Sequence, residues 1–218
     1  MARASLNRDL VLRAGVDLAD ERGFGALTMR ALAQRLGVQA MSLYNHVADK
    51  ADLRDGMVEF VLGPVDVPVP GGDWRAELRR GAVSIYGEFR AHRWVSREMQ
   101  QTRGVSPARA RWMEGILATL RQAGCSPELA HLFYHAIDAH TTGFALWLAN
   151  FPFANQAERE ALGRAAMAKI GQDFPYLLEH FHVHLSPDPS QPSEFEFGLD
   201  LILDGIATRL GVQDPAHR

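Results

Sequence analysis

The sequence predicts an all-α fold: an N-terminal three-helix helix-turn-helix domain, then a larger helical domain. Three observations carry this. Apolar residues recur at helical spacing along nearly the whole chain, and few stretches alternate with the period of two that a strand needs. Gly, Ser, Thr and Asp fall at the ends of those runs, where helices start and stop. One proline- and glycine-rich stretch, GPVDVPVPGGD at residues 63–73, interrupts the pattern between a short-helix region and a long-helix region.

In chain order, a first helix spans about Asn7–Arg22, with Leu10, Val11, Ala14 and Leu18 on one face and Gly23 at its end. Thr28 is placed to cap a second helix, Met29–Leu36, which buries Leu32, Ala33 and Leu36. Gly37, with no Cβ, permits the positive φ of a sharp helix-to-helix turn. A third helix covers about Gln39–His46, and Asp49 caps a fourth over Lys50–Leu62. Beyond residues 63–73, taken as a linker, helical patterns cover Trp74–His92, Val95–Gln101, Pro107–Ala123, Pro127–Phe151, Ala154–Gly171, Tyr176–His182 and Glu194–Leu210. Ser106-Pro107 and Ser126-Pro127-Glu128 pair a capping hydroxyl with a first-turn proline. SPDPSQPS, residues 186–193, reads as a second loop. The domain organisation is therefore 1–62, with 50–62 as the connecting helix, and 73–211.

Composition narrows the function classes. Hydrophobic residues make up 47% of the 218, enough for a core, and no apolar run reaches the roughly 18 residues of a membrane span. The N-terminal stretch lacks the apolar core of a secretory signal. The single cysteine, Cys125, allows no internal disulfide, which suits a reducing cytoplasm. Net charge is −3, but residues 1–50 carry +2 and the remainder −5, an asymmetry too mild to identify a DNA-binding end.

The motif says more. Helix, glycine turn and short helix form the helix-turn-helix pattern, whose second helix enters the major groove. Val38, Leu43 and Val47 are spaced to pack inward, leaving Gln39, Ala40, Ser42, Asn45 and His46 outside. Gln and Asn can bond adenine bidentately, Ser is versatile, and an Ala methyl can meet the thymine methyl. Tyr44 and Lys50 suit phosphate, as do the exposed amides of the helix that starts at Thr28.

These residues also carry a resemblance. LTMRALAQRLGVQAMSLYNHVADKADL, Leu27–Leu53, is similar to the DNA-binding signature of the tetracycline-repressor (TetR/AcrR) family of transcriptional regulators, T-x-R-x-L-A-x-x-L-G-V-x-x-x-[ST]-L-Y-x-H-[FV]-x-x-K-x-x-L. A weaker likeness, to the C-terminal domain of the tetracycline-repressor branch, runs through LRQAGCSPELAHLFYHAIDAHTTGF, Leu120–Phe144. The resemblance implies a two-domain homodimer that binds double-stranded operator DNA and is released by a small-molecule effector. Dimerisation would use the helices near 127–149 and 194–210. Effector-driven motion would pass through the fourth helix and reset the spacing of the two recognition helices. Carried over residue by residue, Arg30, Gln39, Ala40 and Asn45 would lie near bases, and Thr28, Ser42, Tyr44, His46 and Lys50 near phosphates. Met41 and Asn45 depart from the branch's usual residues, which bears on the operator sequence rather than on binding. Arg3 and Arg8 could reach phosphate or the minor groove.

In the larger domain, an effector pocket would draw on Trp94, Met99, Trp112, Met113, Phe133 and Trp147, with His135, His140 and Thr141 as polar contacts. Such residues at helical spacing also build ordinary core, and Phe151 belongs to the same set. Aromatic content leans toward an apolar or aromatic effector. His131 with His135, and His180, His182 and His184, invite a metal reading. A site needs three or more converging ligands, so no metal and no cofactor is expected. Gly23–Gly25 lacks the strand and further glycine of a dinucleotide loop, and no G-x-S-x-G or H-E-x-x-H occurs, so an enzyme is not expected. A regulator without a small effector, or a helical enzyme or carrier that contains a helix-turn-helix, remains the alternative.

Overall fold

The computed structural model of the chain describes residues 6–150, 156–170, 173–185 and 192–211. Among the described residues there is no strand. The first helix, α1 (Arg8–Arg22), starts where the Asn7 side chain accepts the Leu10 N–H, and Gly23 ends it. In α2 (Met29–Leu36), Thr28 Oγ1 accepts the Ala31 N–H at 3.1 Å. Gly37 follows in the left-handed region at φ 64°, the conformation its missing side chain permits. The next helix is shorter than the spacing predicts: α3 is Ala40–Leu43 instead of Gln39–His46. Beyond Leu43 the backbone tightens, with Tyr44 N–H to Met41 O and His46 N–H to Leu43 O spanning three residues each. Asp49 then caps α4 (Lys50–Leu62) by accepting the Asp52 N–H at 2.7 Å.

Residues 63–73 behave as a strap rather than a free linker. The Ser84 hydroxyl takes the Asp66 N–H, Glu77 takes the Val69 N–H, and Arg80 donates to Val67 O. Val67 and Pro68 run across α5 (Trp74–Ala91) and α7 (Pro107–Gln122) at Gly81 and Gly115. A Cβ on Gly115 would lie 2.5 Å from Val67 Cγ1 and 2.7 Å from Pro68 O, so the glycine sets how closely strap and helix approach.

The rest of the chain continues through α6 (Val95–Glu98), a 3₁₀ turn at Met99–Gln101, α8 (Pro127–Asn150), α9 (Gln156–Ile170), α10 (Pro175–Leu185) and α11 (Glu194–Leu210). Helix α8 packs against α5, α7 and α11, and α9 against α10. Helix α10 is longer than predicted, while Phe151 and residues 186–191 fall outside the described residues. The core is continuous: Leu32, Leu43 and Leu53 at one end and Ile116, Ile137 and Leu203 at the other belong to one buried cluster, bridged by Val58, Val61 and Leu62 of α4.

Candidate nucleic-acid interface and effector region

Helix α2 packs on α1 and α3 on α2, through residues predicted to be internal. Leu32 and Leu43 are fully buried, Val47 nearly so, and Val38 is half-buried against them. What remains outside is the predicted polar face. Thr28, Arg30, Gln39, Tyr44, Asn45 and Lys50 are exposed, while Ala40, Ser42 and His46 are half-buried. The side chains of Arg30, Gln39, Ser42, Tyr44 and Asn45 have no hydrogen-bond partner among the described residues. They stand ready to bond an external ligand. Met41, at 73% exposure, projects from the middle of this face and was not among the predicted contacts. Its signal was its place between Ala40 and Ser42 on the outer side of the third helix.

Ion pairs decide which basic residues are available to a polyanion. Arg35 makes a two-pronged bond to Glu21 at 2.7 Å and lies 3.7 Å from Asp17. The same guanidinium holds the Glu21 carboxyl below its usual range. Arg8 grips both Asp52 oxygens and donates to His46 O at 2.7 Å, so it ties α1 to the end of the recognition segment instead of reaching outward. Its hydrogen bond depresses the Asp52 carboxyl. Arg3 lies outside the described residues. Arg30 and Lys50 keep open heads, with Lys50 Nζ 5.8 Å over the Phe24 ring.

The residues predicted for an effector pocket do not form one group. Trp94 sits at the junction with α1, where its Nε1–H donates to Asp20 Oδ1 at 2.8 Å and its ring stacks on Phe24. Met99 is buried beside Arg109, itself paired with Asp138 on α8. Trp112 is core, its Nε1–H donating to Gly81 O at 3.3 Å. Met113 and Phe133 are half-buried against that core. Thr141 is buried with its hydroxyl donating to Ile137 O, and His135 is exposed beside His131. Only His140 and Trp147 share an aromatic cluster, and its other members were not predicted: Tyr86, Phe144 and Phe195. Phe195 is stacked between Tyr86, 3.8 Å between centroids, and His140, at 5.0 Å. The missed members come from three different helices, a convergence that spacing along one helix cannot show.

A cleft of about 420 Å³ opens between α1, α4 and the loop before α7, with Leu12, Asp55, Phe60, Arg103 and Val105 among its walls. A shallower depression of about 400 Å³ lies over Pro127, Glu128, His131 and Leu132. None of the nine predicted pocket residues lines either. Among the described residues no three His, Cys, Asp or Glu side chains converge as metal ligands, and the His184 side chain falls outside them. No described helix is long and apolar enough to cross a membrane.

An open polar face directly after a left-handed glycine turn, mounted on a larger helical domain, defines a DNA-binding regulator of the helix-turn-helix class. The comparisons place it further. Residues 11–57 match the family model for bacterial regulatory proteins of the tetR family, and residues 67–210 match the tetracyclin repressor-like C-terminal domain. The chain belongs to the tetR family of transcriptional regulators. It is 31% identical to the HTH-type transcriptional repressor DrrR1 of Streptomyces coeruleorubidus, over 98% of this chain and 83% of that protein. A possible TetR family transcriptional regulator from Streptomyces coelicolor A3(2) superimposes with a TM-score of 0.79 at 32% identity, covering 93% of this chain and 100% of the other. The S. coelicolor TetR family protein ActR, solved in complex with actinorhodin, gives a TM-score of 0.70 at 29% identity, covering 95% and 100%.

Proposed function

We propose that the protein is a cytoplasmic, dimeric repressor, without catalytic activity, that a small aromatic effector releases from a palindromic operator. The observation that carries this reading is the row of unpartnered polar side chains on and beside α3. Gln39 and Asn45, with Arg30 and the Ala40 methyl, are assigned to base edges. Thr28, Ser42, Tyr44, His46 and Lys50 are assigned to phosphates. Met41 joins the base-facing group, because its exposed thioether suits the thymine methyl. Residues 1–62 form the DNA-binding unit and 73–211 the effector and dimerisation unit.

Two surfaces support the dimer. Leu132, Ala136, Ala139, Gly143 and Trp147 form an exposed line along α8, and Phe197, Leu201, Gly205 and Thr208 another along α11. Apolar ends with small residues between them suit close helix–helix packing against a second copy. The aromatic cluster around Phe195 supports an aromatic effector, as does the actinorhodin bound by ActR. Cys125 supports the non-catalytic reading: it is buried, and burial pushes its thiol above the usual range, away from a nucleophilic thiolate.

Anisotropy titrations with a footprinted palindromic duplex test the assignments. Lys50→Ala should weaken binding to every sequence and reduce the log–log salt slope by about one. Asn45→Ala should relax preference at one base position, and an equal loss on all sequences would remove Asn45 from the base-reading set.

A further inference from the structure

The helix-turn-helix is attached to the rest of the molecule at two neighbouring places, since α4 itself packs on α6. One is α4. Glu59 accepts the Ala108 N–H at 2.9 Å, and Arg103 of the loop before α7 reaches Asp49 at 3.0 Å. The other lies at the far end of α1, at the corner between α5 and α6. There a single carboxylate, Asp20, is held from both sides: Trp94 Nε1–H donates to Oδ1 at 2.8 Å, and His92 Nδ1 lies 2.8 Å from Oδ2. The partners are 74 and 72 residues away in sequence, so this contact joins the DNA-binding helices to the larger domain directly. Trp94 also stacks on Phe24 at 5.5 Å, and the other ring contact of Phe24 is the Lys50 ammonium.

A body held along one line can rotate about it, and a second hold off that line opposes the rotation. We propose that Asp20 is a positioning residue: with Trp94 and His92 it clamps α1 and prevents the helix-turn-helix from swinging about α4. This inference rests on the dimeric-repressor reading, because only in a dimer does the swing matter. A dimer reads two half-sites at a fixed separation, and the rigidity of each DNA-binding unit on its own subunit decides how sharply that separation is enforced. The clamp touches no DNA. Its loss leaves each half-site contact intact and blurs the preferred spacing.

The test uses the full-length protein and a palindromic duplex selected by it from random sequences, together with versions that carry one base pair more or one fewer between half-sites. Asp20→Ala removes both oxygens that Trp94 and His92 bond. Trp94→Phe deletes the N–H donor and keeps an aromatic ring, though a smaller one, against Phe24. The wild type should prefer the native spacing by tenfold or more. Both variants should lose at least fivefold of that preference, while salt-dependent binding to non-specific duplex, measured well below each variant's thermal transition, is unchanged. A merely structural role would lower the midpoint and affinity for all three spacings alike, and that result overturns the proposal. So does spacing preference retained in both variants when the wild type selects a palindrome. A wild type that selects no palindrome overturns the dimeric reading, and the clamp's role falls with it.

Discussion

At the scale of single residues, the chemistry sorts side chains by whether they are already committed. Arg8 and Arg35 look as available in the sequence as Arg30 and Lys50, yet the first two are consumed by carboxylates and the others are not. Glu98 presents the opposite problem. It is only 8% exposed in α6, and burial raises its carboxyl pKa against the pull of Arg54, Arg97 and Lys50. A carboxyl whose pKa rises on folding costs stability while ionised, and the cost fades as pH falls through the raised value. Glu98→Gln should therefore raise the thermal midpoint at pH 8. The gain should disappear below the ordinary glutamate pKa of about 4.3. Melting curves of both proteins across this range check it, and a lower midpoint for the variant at pH 8 would contradict it. Residue choice was also where the sequence misled. Trp94 belongs to the aromatic and methionine set at helical spacing, but its N–H donates to a carboxylate on α1, a partner no local spacing reveals.

At the scale of elements, capping chemistry made most helix starts legible. The side chains of Thr28, Asp49 and Ser106, placed as caps from the sequence, each accept a first-turn backbone N–H, as do those of Asn7 and Ser193, which the sequence reading did not single out. Sequence reading failed where the determinant was distant. The length of α3 depends on the tightened backbone after Leu43, which Arg8 supports from α1 by binding His46 O. The strap at 63–73 reads as a linker because its prolines forbid a helix, but its order comes from α5 and α7. Gly115→Ala should therefore destabilise by about 2 kcal/mol through overpacking against Val67 and Pro68. Gly37→Ala should cost about 1 kcal/mol, because its φ of 64° is unfavourable for a side chain. Denaturant unfolding distinguishes the two. Gly37→Ala should also lower DNA affinity by misdirecting α3, whereas Gly115→Ala at a temperature where it is folded should not.

At the scale of the whole molecule, a single core runs from α1 to α11. The aromatic cluster around Phe195 draws on α5, α8 and α11, whereas the helix-turn-helix meets the larger domain through α4 and the Asp20 contact. A helix-turn-helix ahead of a larger helical part was legible from the Gly37 turn motif and the longer helical runs that follow, whereas the continuity of the core was not, because it depends on which helices meet. The exposed lines on α8 and α11 predict that Leu201→Glu on α11 should yield monomers in sedimentation velocity and abolish operator binding with little loss of helix content. A variant that remains dimeric would remove that face from the interface.

The most direct measurement is footprinting of the purified protein on its best-bound duplex at two salt concentrations. The account predicts a protected palindrome with half-sites about one helical turn apart, and weaker binding at the higher salt. Salt-sensitive binding with no preferred site, or no binding at all, would contradict it.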